Sequence, residues 1–135
     1  MPEYTPEQFA AILLSAAAKT PREAVGIVRK GSVNVERDAK RNVRQTAPVH
    51  NAHAANTITF DVAAQGPAVV GEIGYDKELF RSPGKKTGPG GIGNLLEFGG
   101  GGDHSPPHHD LSRALAVEEP KFLQAIADMG ERVIE

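Results

Sequence analysis

The stretch Asn56-Thr57-Ile58-Thr59-Phe60-Asp61-Val62-Ala63 decides the fold class, because it alternates. Ile58, Phe60 and Val62 fall on one side, and Thr57, Thr59 and Asp61 on the other. That two-residue period marks a half-buried strand. Gln65-Gly66-Pro67 reads as a turn, and Ala68–Tyr75 is a second β-rich run with Ile73 and Tyr75 on one face. The two runs predict an antiparallel hairpin. Upstream, Ala47-Pro48 ends helix geometry, since the residue before proline avoids the α region. The helix it ends opens at Thr20-Pro21-Arg22-Glu23, a capping hydroxyl with first-turn proline and a carboxylate in third place. It is expected from Pro21 to about Gln45. Its apolar positions Val28, Val35, Ala39 and Val43, with Ser32 between, recur every three to four residues. Gly31 weakens its middle by about 1 kcal/mol relative to alanine. Thr5-Pro6-Glu7-Gln8 repeats the capping device and predicts a helix over Pro6–Ala18, within an N-terminal helical arm over residues 1–20.

Beyond the hairpin, nine of the 15 glycines fall between Gly84 and Gly102. Residues 76–94 are expected to form a long, flexible, basic and Gly-rich loop, a length that in a compact domain is functional or disordered. Leu95-Leu96-Glu97-Phe98 is the one apolar island nearby, short enough for a strand or a single helical turn. Asp110 is placed to cap a helix through Leu111, Leu115 and Val117. Pro120 reads as the start of another, with Phe122, Leu123, Ile126, Met129 and Val133 at helical spacing. The element order predicts a single α+β domain over 1–135. In it a small antiparallel sheet packs against a long N-terminal helix and a C-terminal helix.

Composition excludes several classes. Leu, Ile, Val and Phe make up 31 of 135 residues, just above the level at which chains stay disordered, so the core is thin. Without cysteine there is no disulfide scaffold, thiolate zinc site or cysteine nucleophile. The absence of tryptophan and the 5% aromatic content argue against a base-stacking platform. No apolar run approaches the roughly 20 residues of a membrane span. Met1–Glu7 carries acid where a signal peptide carries base, so a soluble, non-secreted domain is expected.

The net charge is only −2, yet charge is segregated. Pro21–Gln45 holds seven basic residues against three acidic ones, a net +4, while the chain from Glu97 onward carries eight acids against three bases, a net −5. Arg37, Lys40, Arg41 and Arg44 lie at offsets 0, 3, 4 and 7 and predict one basic helical stripe. Lys77, Arg81, Lys85 and Lys86 oppose only Glu78 in the following loop. Such faces are ordinary solvated surfaces in a monomer. They also suit head-to-tail contacts between copies, or a phosphate backbone met without sequence readout.

Candidate chemistry is sparse. Gly84-Lys85-Lys86-Thr87 lacks the spacing of a phosphate loop, with Leu79 where the first glycine belongs. Asp103-His104-Ser105-Pro106-Pro107-His108-His109-Asp110 gathers metal-ligand types, but two prolines interrupt the His104–His108 spacing and adjacent His108 and His109 diverge in an extended chain. A polar loop near the helix start accounts for it, and a metal-dependent hydrolase is the minor rival. No serine sits in a nucleophile elbow. No catalytic residue, cofactor site or metal site is assigned.

An ordered series of short motifs remains. Ala47-Pro48 ends the long helix, and Asn56-Thr57-Ile58 and Val70-Gly71-Glu72-Ile73-Gly74 mark the strands. Leu95-Leu96-Glu97-Phe98-Gly99 and Pro107-His108-His109-Asp110-Leu111-Ser112-Arg113-Ala114-Leu115 follow. This series resembles the gene-ten-like head–tail joining, or tail-completion, family of long-tailed double-stranded DNA phages. Members of that family show an aromatic-Glu-Phe-Gly step and then a proline-bearing loop. The resemblance runs from about Glu23 to Ile126. It implies a non-enzymatic structural virion protein of the phage neck, assembled in the host cytoplasm. Copies would form a homo-oligomeric ring, expected as a hexamer, around the DNA channel between connector and tail tube. Its partners would be the neighbouring connector or stopper, the tail-tube or tail-terminator proteins and the passing duplex; no membrane is involved. A tail-terminator ring is the nearest alternative, and a small sequence-nonspecific nucleic-acid-binding domain the alternative from another class. On this reading Arg37, Lys40, Arg41 and Arg44 contact a subunit or DNA. Lys77, Arg81, Lys85 and Lys86 reach the lumen or the next ring. Glu97, Phe98 and Gly99 are structural, with Phe98 anchoring the sheet to the C-terminal helix.

Overall fold

The computed structural model describes residues 11–17, 21–46, 49–66, 68–76, 78–85, 88–89, 97 and 109–134. Helix α1 spans Pro21–Thr46 and is continuous through Gly31. It places Ala24, Val28, Ser32, Val35, Ala39 and Val43 on one fully buried stripe. Glu23 in its first turn and Arg44 in its last match the helix dipole.

The hairpin forms as expected, with β2 over Ile58–Gln65 and β3 over Ala68–Tyr75, antiparallel. Gly66 at φ +59° supplies the positive φ required at the first position of a two-residue hairpin loop. The register sets Phe60 opposite Ile73 and Val62 opposite Gly71, so the apolar alternations of both strands share one face. Helix α1 packs on that face. The closest approach is at Gly71, where a Cβ would overlap Ser32 Oγ and lie 2.8 Å from Val28 Cγ1.

Three expectations are corrected. Ala11–Ala17 is a strand, β1, and not part of a helix over Pro6–Ala18 or of a helical arm. It pairs antiparallel with the second edge of β3, Ala11 opposite Gly74 and Ala17 opposite Ala68, giving the sheet order β1-β3-β2. The capping signal Thr5-Pro6-Glu7-Gln8 lies outside the described residues. In Ala-Ile-Leu-Leu-Ser-Ala-Ala the open edge of a central strand overrides local propensity. Asn56 and Thr57, read as the start of the strand, instead close a 3₁₀ segment over Val49–Thr57, and the strand begins at Ile58. Ala54, Ala55 and Thr57 are buried there, and Thr57 Oγ1 donates to the Ala54 carbonyl at 2.7 Å.

The third correction concerns the C-terminal helix. Pro120 opens no new helix; α2 runs unbroken over Asp110–Ile134 with the proline inside it. Its buried stripe of Leu111, Ala114, Glu118, Phe122 and Met129 keeps one helical phase across the proline. Pro120 and Ala116 lie on the exposed side, so the Ala116 carbonyl that loses its helical donor faces water. Pro120→Ala restores that hydrogen bond and should raise the unfolding free energy by about 1–2 kcal/mol in denaturant titration.

Helix α2 lies along α1 on the same side of the sheet. Two partly buried polar contacts fix their register. The Asn34 amide donates to both oxygens of Glu118, at 3.0 and 3.2 Å, and the Asn42 amide donates to the Asp110 carbonyl at 3.0 Å. Among the described residues no helix is long and apolar enough to cross a membrane.

Candidate functional site

The most organised polar constellation lies where α2 begins. The first N–H groups of a helix lack internal acceptors. Here Glu97 supplies them from 14 positions upstream. Leu111 N–H donates to Glu97 Oε1 at 2.8 Å, and Ser112 donates to Oε2 through its N–H at 3.2 Å and its hydroxyl at 2.7 Å. The carboxylate is 1% exposed and sits at the positive end of the helix dipole. The capping carboxylate is therefore Glu97 and not Asp110. Asp110 is the first helical residue, and its Oδ1 pairs with the Arg113 guanidinium at 2.8 Å. The residue before it, His109, takes φ +52°, uncommon for a side chain of its size. Its N–H donates to the Glu97 carbonyl at 3.2 Å and its carbonyl accepts from Arg113 N–H at 2.8 Å. Both ends of Glu97 thus hold the turn in place.

Tyr75, at the end of β3, lies within the field of the same carboxylates. Its hydroxyl is buried and has no hydrogen-bond partner among the described residues. Burial, and then the negative charge of Asp110 and Glu97, push its pKa well above the ordinary value near 10. The linkage has a definite sign. Above about pH 10 the unfolded chain releases this phenolic proton while the folded chain keeps it. Stability that Tyr75 leaves intact below that pH is therefore lost as pH rises further. We expect Tyr75 to form no tyrosinate before the sheet unfolds in alkaline titration, and Tyr75→Phe to reduce the alkaline slope of stability. An unchanged slope in that variant would contradict this.

The basic stripe forms a less free surface than its sequence implies. Arg37 and Arg41 are each 61% exposed at the side chain, and both pair with the buried Asp38 Oδ1, at 3.2 and 3.0 Å. Lys40 is half-buried and pairs with Glu36 at 2.9 Å. Arg44 is exposed and donates to Asn56 Oδ1 at 3.0 Å. The structure brings these four residues onto one helix, with two carboxylates interleaved among them.

In the following loop, Arg81 pairs with Glu78 at 3.2 Å and Lys85 is exposed. Arg81 N–H donates to the Glu78 carbonyl and Lys85 N–H to the Ser82 carbonyl, both at 3.1 Å, so residues 78–85 form consecutive turns. Lys77, Lys86, Phe98, Gly99, His104 and His108 lie outside the described residues. Among the described residues no group of three His, Asp or Glu side chains converges to hold a metal ion. Sequence reasoning missed Tyr75, Asn34, Asn42 and Glu118. Glu118 carried a faint signal, being a carboxylate in helical phase with Leu111 and Phe122. No family model, curated protein or solved structure matches the chain.

Proposed function

We propose that the protein is a structural subunit of the phage neck, joining tail to head as one copy in a ring around the DNA channel. One observation carries this reading. Glu97, the one described residue of the Leu-Leu-Glu-Phe-Gly motif, accepts from Leu111 and Ser112 of the Asp-Leu-Ser-Arg-Ala-Leu motif at the first turn of α2. The motif carboxylate has a structural task and is buried away from any dissolved substrate. A motif carboxylate spent on holding a helix start suits a scaffold, and the thin core suits a protein stabilised further by assembly. Arg37, Arg41 and Arg44 then face a neighbouring subunit or the duplex, and Arg81 and Lys85 face the lumen or an adjoining ring. In a phage encoding the chain, loss of its gene should leave filled heads and free tails unjoined in electron micrographs. Fully joined, infectious particles would rule the proposal out.

A second reading, a nonspecific nucleic-acid-binding domain, draws on the exposed guanidinium groups of Arg37 and Arg41. It requires tight, strongly salt-dependent DNA binding by the isolated chain. The neck reading expects weak binding, because Asp38 and Glu36 partly neutralise the stripe.

A further inference from the structure

Helix α1 covers the face of the hairpin that carries Phe60, Val62, Gly71 and Ile73. The opposite face carries Asp61, Ala63 and Glu72, all exposed, and the half-buried Val70. The register sets Asp61 directly opposite Glu72, and Ala63 directly opposite Val70. Like charges facing each other across a ladder are unfavourable. The ion pairs of the described residues engage Glu36, Asp38, Glu78, Glu97 and Asp110, and neither Asp61 nor Glu72. Two exposed carboxylates therefore stand side by side, with no cation to relieve them among the described residues.

The reverse arrangement lies on the far side of the molecule. Helix α1 turns its buried stripe to the sheet, so the side bearing Arg22, Arg29, Val33 and Arg37 points away from it. All four are exposed, Val33 at 45%. Arg22 and Arg29 have no ion pair among the described residues, and Arg37 shares the single carboxylate of Asp38 with Arg41. The two faces also agree in spacing. Arg29 precedes Val33 by one helical turn, about 6 Å of rise. The Asp61–Glu72 pair lies two residues along the ladder from Ala63–Val70, about 6.7 Å. A Val33 resting on Ala63 and Val70 brings the Arg29 guanidinium onto both carboxylates, which its planar fork suits.

We propose that the Arg29–Val33 side of α1 in one copy docks on the outer hairpin face of the next, with Arg29 between Asp61 and Glu72. A phosphate backbone would satisfy the helix side alone, and a metal ion the sheet side alone; a second copy satisfies both. The two faces are different surfaces on opposite sides of the chain, so the contact is head-to-tail and closes to a ring where its rotation allows. The docking rests on the ring reading given above and names the surfaces that would build it.

Charge reversal tests it at exposed positions. By analytical ultracentrifugation at low salt the unaltered chain should self-associate, and added salt should weaken the association. Arg29→Glu or Glu72→Lys alone should weaken it at least tenfold. An equimolar mixture of the two variants should recover it, because each contact then joins opposite charges again; a misfolded variant would recover nothing. The chain has no cysteine, so Val33→Cys and Ala63→Cys chains mixed under oxidation should cross-link, and Val33→Cys with Leu123→Cys should not. A chain monomeric at every concentration, variants that associate like the unaltered chain, or a mixture without recovery would overturn the docking. So would association abolished by a chelator, which would make the carboxylate pair a cation site. Duplex DNA bound by a monomer through Arg29, with Glu72→Lys indifferent, would equally overturn it. If phage carrying Arg29→Glu still join heads to tails, the docking falls and the neck reading stands. Charge-dependent oligomers from a chain whose loss leaves particles joined would reverse that outcome.

Discussion

Replacing Glu97 by alanine is expected to lower the unfolding free energy by about 3–5 kcal/mol. Three donors lose a charged acceptor at 2.7–3.2 Å, two of them backbone N–H groups of the first turn of α2. Loss of a cap alone costs about 1–2 kcal/mol, and hydrogen bonds to a charged group contribute about 1.5–3 kcal/mol each. The site is buried, so water replaces the lost acceptor poorly. Such a loss is a large share of the 5–15 kcal/mol typical of a domain and should lower Tm by roughly 10–20 °C. Glu97→Gln keeps the shape and one oxygen but turns an amide N–H toward a donor, so about half the loss is expected. Amide exchange of Leu111 and Ser112 should accelerate more than that of Ile73 or Val69. An alanine variant within 1 kcal/mol of the unaltered protein would show that the cap is dispensable.

Gly71→Ala is expected to cost about 2–3 kcal/mol, although the same change at an open site would be harmless. The added methyl meets Ser32 Oγ and Val28 Cγ1 on α1, so the helix must lift from the sheet or two side chains must leave their rotamers. Ser32→Ala tests the cause. Its hydroxyl is buried with no hydrogen-bond partner among the described residues, and alanine is the better helix former. Alone it should stabilise by about 1 kcal/mol. Combined with Gly71→Ala it should recover more than its own gain, a coupling above about 1 kcal/mol in a double-mutant cycle. Simple additivity would place the strain elsewhere.

These two contacts show where sequence reading stopped. Helix α1 and both hairpin strands were legible because each buries one face, and a buried face writes its period into neighbouring residues. The stripe Val28–Val35–Ala39–Val43 and the alternation Ile58–Phe60–Val62 are of that kind. The run Ala11–Ala17 was not legible, because its state is set by the free edge of β3, some 60 positions away. Pro120 misled because its penalty is local, whereas the continuous apolar stripe on either side of it is worth more in packing. Glu97 was singled out as structural from motif order, yet its acceptors-to-donors geometry joins segments 14 residues apart. The need for glycine at position 71 exists only once α1 lies across the sheet.

The central claim is that this small α+β chain completes its buried surface against sibling copies at the junction of head and tail. Electron cryomicroscopy of that junction in the encoding phage tests it most directly. The account predicts a closed ring of this chain around the DNA channel. A junction resolved in full without this chain would contradict it.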